Sequence, residues 1–247
     1  MINILICDDN IYYAKMLMDA LNSEDVRVCN IAINGEESLN ILKGRDNIDL
    51  VLLDIQLPIY NGIEIIAELS RNHIKKYSKS IIVISGYTDL MIRIRNNPVV
   101  CKCINKSSSF SDIVKNIEDI ITNKKYEKEQ KQIEVDIMKQ IELLRYNKSY
   151  RGTKYLIQSI KLIMENENMD LNNLKKDVYS VIATRNHTTI YNIKNNINKA
   201  TEQMYYECNH EVLKEYFGFV EDIRPTSKTV IFTIISKIKK EQRKRKK

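Results

Sequence analysis

The stretch Leu50–Gly62, LVLLDIQLPIYNG, contains the pattern that decides the fold of the first half of the chain. Its first four residues are all apolar, which is typical of a strand that is buried on both faces of a parallel sheet. Asp54 follows directly. Because ligand sites of open parallel sheets lie beyond the carboxyl ends of the strands, we expect Asp54 to stand at a functional site.

Short apolar runs and amphipathic stretches alternate on both sides of that segment. The runs predict five strands, at Ile2–Cys7, Val26–Ile31, Leu50–Leu53, Ile81–Ser85 and Val100–Ile104. The stretches between them predict helices at roughly 10–22, 35–43, 62–76, 87–96 and 109–122. This alternation predicts an α/β fold over residues 1–122, a doubly wound five-stranded parallel sheet of the flavodoxin-like type.

The second half lacks alternating strands, and its apolar residues recur at helical spacing. Six such stretches predict helices at 135–146, 151–166, 171–183, 188–206, 209–217 and 226–243. We therefore expect an all-α domain at 135–247. The segment 123–134, NKKYEKEQKQIE, is almost wholly polar, and we interpret it as a linker, with helical extension of the preceding helix as the alternative.

The charge of the chain is divided unevenly between these halves. Residues 1–122 hold 13 Lys and Arg against 16 Asp and Glu, a net charge of −3, whereas residues 123–247 carry +10. A strongly basic half predicts a polyanionic partner such as DNA, and a merely solvated basic surface is the alternative. The basic C-terminal tail, KIKKEQRKRKK, leaves the same two interpretations open.

Composition narrows the class of protein further. Hydrophobic residues make up 43% of the chain and charged residues 29%, which is typical of a globular protein. No apolar stretch is long enough for a membrane span, and the start MINILICDDN does not resemble a signal peptide, so we expect a cytoplasmic protein with no membrane partner. The five scattered cysteines predict neither a disulfide scaffold nor a zinc site.

Acidic, hydroxyl and basic side chains follow or end the predicted strands. They are Asp8 and Asp9 after the first strand, Asp54 after the third, Ser85 at the end of the fourth and Lys106 after the fifth. Three neighbouring carboxylates need a cation, and Mg²⁺ prefers such oxygen ligands. The Asp54 carboxylate could then attack a phosphoryl group, whose oxygens the hydroxyl and the ammonium would hold.

Each of these residues has an ordinary structural alternative. Aspartate after a strand is common at turns and helix caps, and Ser85 could also cap a helix. It is the joint pattern of five positions at the ends of the appropriate strands that favours a phosphoacceptor site.

Two helical stretches in the basic half, within 171–206, predict a helix-turn-helix. A short polar break at 184–187 separates them, and Ile193 and Ile197 lie on the inner face of the second helix. Asn can bind adenine in the major groove, and Lys can reach guanine or phosphate. Two packed helices with a solvated, Asn-rich face are the alternative. The candidate DNA-binding residues are Thr188, Thr189, Tyr191, Asn192, Lys194, Asn195, Asn198 and Lys199.

On these motifs, residues 1–122 resemble the receiver domains of two-component response regulators. The motifs are Asp8-Asp9, the segment D-I-x-L-P-x-x-N-G that begins at Asp54, Ser85-Gly86 and Lys106. The resemblance implies that Asp54 is the phosphoacceptor, that Asp8, Asp9 and Asp54 hold Mg²⁺ together with a backbone carbonyl near Gln56, and that a histidine kinase or relay phosphotransferase supplies the phosphoryl group.

The chain departs from the receiver pattern at two positions. Ser107 follows Lys106 where the family has a proline in a cis bond, and Cys103 stands where the family has the aromatic switch residue. The first change removes a rigid turn, and the second implies an unusual route for transmitting phosphorylation.

Residues 135–247 resemble the six-helical effector domain of the sporulation master regulator of Firmicutes. The matching segments are Arg151-Gly152 with Tyr155-Leu156, IATRNHTT at 182–189, Phe217-Gly218 and Arg224-Pro225-Thr226. The family presents Ser, Arg, Glu and Arg on its recognition helix where this chain has Tyr191, Asn192, Lys194 and Asn195. We therefore expect a relative that reads a different, more AT-rich site and that forms a homodimer when phosphorylated or on DNA.

A second class of function is a signalling interaction module, which would drain phosphoryl groups or form mixed dimers without a DNA site of its own. The altered recognition helix and Cys103 motivate this alternative. A metal-dependent phosphohydrolase would need a second Asp two residues beyond its nucleophile, where this chain has Gln56. We therefore expect no enzyme activity beyond self-phosphorylation from a phosphodonor.

Overall fold

The computed structural model describes residues 1–44, 47–166, 173–218 and 224–245. The chain divides into two compact units, Met1–Glu127 and Lys128–Lys247. Each unit has its own hydrophobic core. None of the helices within the described ranges is both long and apolar enough to cross a membrane.

The first unit is a five-stranded parallel sheet with the strand order β2-β1-β3-β4-β5. The α/β prediction is thereby confirmed. Its elements are β1 Ile2–Cys7, α1 Ile11–Leu21, β2 Val26–Ala32, α2 Gly35–Gly44, β3 Leu50–Leu53, α3 Gly62–Asn72, α4 Ile74–Tyr77, β4 Ile81–Ser85, α5 Thr88–Ile94 and β5 Val100–Asn105, followed by α6 Phe110–Leu143, which continues into the second unit.

The central strands are buried on both faces, as their apolar composition requires. All four residues of β3 are buried, and β3 pairs with β1 on one side and with β4 on the other. Two clusters of apolar side chains cover the opposite faces of the sheet. The carboxyl ends of β1, β3, β4 and β5 consequently lie side by side at one edge.

The structure corrects the predicted helix at 62–76, which is two helices. The segment α3 starts at a capping box, in which Asn61 accepts from the N–H groups of Ile63 and Glu64, and Glu64 accepts in return from the N–H of Asn61. It ends at His73, whose backbone leaves the helical region with φ −134°. The residues that cap the start of α3 can be recognised from the local sequence. The end of the helix at His73 cannot, because neither Gly nor Pro marks it.

Residues 123–134 are helical throughout and belong to the 34-residue helix α6, which is the helical extension that the sequence allowed, and the division between the two units, after Glu127, lies within this segment. The segment is rich in Lys, Glu and Gln and contains neither Gly nor Pro. These straight-chain residues are good helix formers, so polarity alone does not interrupt the helix.

The second unit is all-helical in the part of the chain that the structure describes. Its elements after α6 are α7 Arg151–Glu165, a π-helical turn Lys175–Tyr179, α8 Ser180–Arg185, α9 Ile190–Glu207, α10 His210–Phe217 and α11 Ser227–Arg245. Of the helix predicted at 171–183, residues 171 and 172 lie outside the described residues. The remainder begins as a π-helical turn and continues to Arg185, two residues farther than predicted.

Candidate functional site

Three carboxylates meet beyond the carboxyl ends of β1 and β3. Asp8 and Asp54 are buried, whereas Asp9 is exposed. One carboxylate oxygen from each of the three lies within 4.8 Å of the others. The structure therefore brings together the three acidic residues that the sequence singled out, with an opening to solvent on the side of Asp9.

Backbone hydrogen bonds fix this cluster to the sheet. The N–H of Asp54 donates to the carbonyl oxygen of Cys7 at 2.9 Å, and the N–H of Asp8 donates to that of Ala32 at 3.0 Å. The turn after Asp54 closes where the N–H of Gly62 donates to Ile55 at 2.8 Å. A Cβ at Gly62 would lie 2.5 Å from the backbone oxygen of Asp54, so the turn needs glycine there.

Lys106 supplies the positive charge of the pocket. Its Nζ lies 2.6 Å from Oδ2 of Asp54 and 2.7 Å from Oδ2 of Asp8. The N–H of Lys106 donates to the carbonyl oxygen of Ser85 at 3.0 Å, which ties the end of β5 to the end of β4. The side chain thus bridges two of the three carboxylates.

The turn after Lys106 forms without the proline that the receiver family carries. The described peptide bonds, including that between Lys106 and Ser107, are trans. The side chain of Asn105 accepts from the N–H of Ser107 at 2.9 Å, and its carbonyl accepts from the N–H of Ser108 at 3.1 Å. An Asn-initiated turn therefore holds this loop in place of a rigid ring.

Burial and hydrogen bonds in the pocket raise the pKa values of Asp8 and Lys106. Burial raises the pKa of Asp8, and the hydrogen bond from Lys106 only partly offsets this. Burial opposes the charge on Lys106 as well, but its hydrogen bonds to Asp54 and Asp8 outweigh that effect and raise its pKa. Lys106 is accordingly held as an ammonium ion between the carboxylates.

Tyr13, on α1, also faces the pocket, and sequence reasoning missed it. The Nζ of Lys106 lies 5.0 Å from the centre of its ring, a cation–π distance. Its hydroxyl is buried and has no hydrogen-bond partner among the described residues, and burial raises its pKa. No sequence motif marks this position; only the folded arrangement of α1 and β5 brings the two side chains together.

Ser85 is fully buried at the end of β4, beside a second contact that sequence reasoning missed. The side-chain amide of Gln56 donates to the hydroxyl of Tyr87 at 2.5 Å, and the N–H of Gln56 donates to Oδ1 of Asp54 at 3.2 Å. The sequence had drawn attention to Gln56 only through its backbone and its difference from Asp. The contact joins the loops that follow β3 and β4.

Cys103 occupies the predicted switch position on β5. It is half-buried, packs against the core cluster that includes Met91, and burial raises the pKa of its thiol. No aromatic ring is available at this position to change between buried and exposed orientations.

The second unit presents the predicted DNA-binding residues on and just before α9. Tyr191, Asn192 and Lys194 are exposed, and so are Asn198 and Lys199 farther along the helix. Asn195 is half-buried. The opposite face of α9 is buried through Ile193, Ile197, Ala200, Thr201 and Met204.

The two threonines before α9 have local partners. The hydroxyl of Thr189 accepts from the N–H of Asn192 at 3.1 Å and caps the helix, which starts at Ile190 rather than at 188 as predicted. The hydroxyl of Thr188 accepts from the side-chain amide of Asn192 at 3.3 Å. Both hydroxyls thus order the start of the candidate recognition helix.

A close approach of two helix backbones positions α9. A Cβ added to Gly152, on α7, would overlap the backbone carbonyl oxygen of Asn196 and the side chain of Ala200. Glycine at 152 therefore lets α7 and α9 pack at a distance that no other residue permits.

Two family models match the chain. A model described as the response regulator receiver domain matches residues 4–118, and one described as the sporulation initiation factor Spo0A C terminal matches residues 137–238. The first match lies within the unit that holds the carboxylate cluster, and the second lies within the unit that holds α9.

The curated relatives that match this chain each match a part of it. A protein-glutamate methylesterase/protein-glutamine glutaminase of Clostridium acetobutylicum is 39% identical over 64 residues, 26% of this chain and 18% of that protein. One from Bacillus subtilis is 32% identical over 93 residues, 36% of this chain and 24% of that protein. The chain thus matches less than a quarter of the length of either relative.

Solved structures similar to this chain include a CheY-like receiver domain protein of Methanospirillum hungatei. It is 23% identical, with a TM-score of 0.44, over 51% of this chain and 98% of that one. The response regulator domain of Thermotoga maritima CheB is also 23% identical, with a TM-score of 0.41, over 50% of this chain and 95% of that one.

Proposed function

Because the chain is a response regulator that joins a receiver domain to a C-terminal domain of the sporulation initiation factor Spo0A family, we propose that it accepts a phosphoryl group on Asp54 and regulates transcription by binding DNA through α9. The observation that supports the first step most directly is the pocket in which Lys106 bridges Asp54 and Asp8. The exposed polar face of α9 supports the second.

In the first step an oxygen of Asp54 forms a bond to phosphorus while the bond between phosphorus and the donor atom breaks. The donor is a phosphohistidine of a histidine kinase or of a relay phosphotransferase. Lys106 stabilises the negative charge on the phosphoryl oxygens, and the Ser85 hydroxyl donates a hydrogen bond to one of them. The loop that carries Gln56 holds the carboxylate through its contact with Oδ1.

The donor set of the pocket fits Mg²⁺. Asp8, Asp9 and Asp54 would hold the ion through hard carboxylate oxygens, which is the ligand type that it prefers. The bound ion would neutralise phosphoryl charge beside Asp54. Mass spectrometry of the full-length protein after incubation with acetyl phosphate and Mg²⁺ should show one phosphoryl group, absent from an Asp54→Asn variant. Phosphorylation elsewhere in that variant would contradict the assignment.

The DNA site is proposed to be more AT-rich than that of the family, because Asn192 and Asn195 replace arginines. Selection from a random duplex library should enrich AT-rich sequences, and replacing both asparagines with Ala should abolish the enrichment. Lys154→Ala, an exposed position on α7, is the matched control. Loss of enrichment in the control as well, or high affinity for the family's own element, would contradict the proposal.

We further propose that the protein is cytoplasmic and that phosphorylation favours a homodimer, which would place two α9 helices on adjacent half-sites. Light scattering with and without beryllofluoride tests this step. The competing function, a signalling module without a DNA site, gains support if the protein is phosphorylated and associates but enriches no DNA sequence under either condition.

A further inference from the structure

One face of the C-terminal helix α11 packs against the rest of the second unit, and the opposite face is exposed. On the anchored face, Val230, Ile234 and Ile238 are fully buried. Farther along the same face, Arg245 donates to Asp136 of α6 at 2.9 Å, and Glu241 accepts from Lys139 at 3.0 Å. These contacts belong to the second unit and hold the last turns of the helix against α6.

The opposite face of α11 carries four exposed cations: Lys239, Lys240, Arg243 and Lys244. At 3.6 residues per turn these positions share one side of the helix with Phe232 and Ser236. None of the four cations has an acidic partner among the described residues, in contrast to Lys237 and Arg245, which are paired. All four lie beyond residue 238, where the match to the Spo0A C-terminal family ends.

We propose that this face of α11, the four cations at 239–244, is a second DNA contact that binds backbone phosphates independently of sequence. The inference rests on the proposed function, since it assumes that α9 brings DNA to this unit. Lys239 and Lys244 are five residues apart, about 7.5 Å along the helix. Duplex DNA presents about one phosphate for each 1.7 Å of its axis, so that length faces roughly four phosphates.

Charge and context favour DNA over an acidic protein as the occupant. The half of the chain that carries α11 has a net charge of +10, so the field around this face attracts an extended polyanion. The face is part of the same compact unit as α9, and the two helices pack against one another. The ion pairs on the opposite face hold α11 against α6, so the four cations keep a regular spacing along the helix. Such spacing suits the regular phosphates of a DNA backbone.

The test is the salt dependence of binding by the full-length protein to a duplex pool of about 30 base pairs of random sequence, followed by fluorescence anisotropy. Replacing all four cations with Gln should lower the slope of log affinity against log salt concentration by about 2 to 4, since each phosphate contact contributes about 0.9. A variant with Arg at the three lysine positions should keep the wild-type slope. A charge-matched control removes four exposed cations of the first unit, Lys15, Arg27, Arg71 and Lys115.

The possible outcomes distinguish failure of this inference from failure of the proposed function. If wild type enriches a DNA sequence but the Gln variant keeps its salt slope, the inference is overturned and the proposed function stands. An equal loss of slope in the first-unit control would also overturn it, because the effect would then follow from net charge. If wild type binds no duplex, both fail. Unchanged circular dichroism of the Gln variant confirms that α11 remains folded.

Discussion

The Nζ of Lys106 lies 2.6 Å from Oδ2 of Asp54, so the ammonium ion is in direct contact with the proposed phosphoacceptor. The same nitrogen lies 2.7 Å from Asp8. A phosphoryl group on Asp54 would bring new negative charge to this position. Lys106 is therefore placed to exchange its contact with the carboxylate for one with phosphoryl oxygens.

Replacing Lys106 with Gln should slow phosphorylation of Asp54 by acetyl phosphate by about 10- to 100-fold. A hydrogen bond to a charged group contributes about 1.5–3 kcal/mol, and each 1.4 kcal/mol changes a rate about tenfold. The rate is measured by mass spectrometry over time. Lys102→Gln is the control, because Lys102 lies on β5, the strand that leads to Lys106, but donates to Asn116. Equal rates for both variants would refute a role of Lys106 in the transfer.

The sequence allowed the charged members of the pocket to be placed together because each follows or ends an apolar run of the sheet. The positions of Asp8, Asp54 and Lys106 could be predicted from the ends of the strands alone, because the carboxyl ends of parallel strands lie at the same edge of a sheet. Tyr13 and the contact between Gln56 and Tyr87 could not be foreseen in this way. They depend on side-chain directions from a helix and two loops, which periodicity does not specify.

Helix boundaries in the chain show the same limit. The predicted start of α9 at 188 lies two residues from the observed start at Ile190, and the hydroxyl of Thr189 that caps the helix is a local signature of a helix start. The break at His73 and the π-helical turn at Lys175–Tyr179 had no such signature. Tertiary packing determines the helix geometry at these positions, and packing cannot be inferred from the residues adjacent in sequence.

Replacing Ile59 with Gly should stabilise the first unit by about 1 kcal/mol. Ile59 has φ 72°, in the left-handed region that costs a β-branched residue about 1–2 kcal/mol, and its side chain is 65% exposed, so little burial is lost. Urea unfolding followed by circular dichroism measures the change. Ile33→Gly is the control, at an exposed isoleucine outside the positive-φ positions, and it should destabilise. Destabilisation by both substitutions would contradict the assignment of strain.

Replacing Gly152 with Ala should destabilise the second unit by about 2 kcal/mol and weaken DNA binding. The added Cβ meets the backbone of Asn196, which cannot move without shifting α9, and overpacking of this kind typically costs about 1–3 kcal/mol. Thermal unfolding and anisotropy measure the two effects. Gly44→Ala is the control, since none of the described residues lies within 4 Å of a Cβ there, and its unfolding should be unchanged or improved. A neutral result at 152 would show that α7 and α9 separate readily.

Asp136 should contribute to the stability of the second unit in a pH-dependent way. Burial opposes its ionisation, but hydrogen bonds from Arg245, Gln132 and Gln242 outweigh burial and lower its pKa below the usual 3.8. A carboxyl group with a lowered folded-state pKa stabilises the protein above its unfolded-state pKa, and this contribution is lost as the pH falls through the folded-state value.

Asp136→Asn should therefore lower the free energy of unfolding by about 1–2 kcal/mol at pH 7, and the difference from wild type should shrink as the pH falls below about 4. Urea unfolding at pH 7 and pH 3.5 provides both values. Glu215→Gln is the control, because the Glu215 carboxylate is exposed and its ion pair with Lys237 therefore contributes little. If the difference in unfolding free energy between Asp136→Asn and wild type is the same at both pH values, packing rather than the charge of Asp136 accounts for its contribution. The end of α11 would then depend on packing alone.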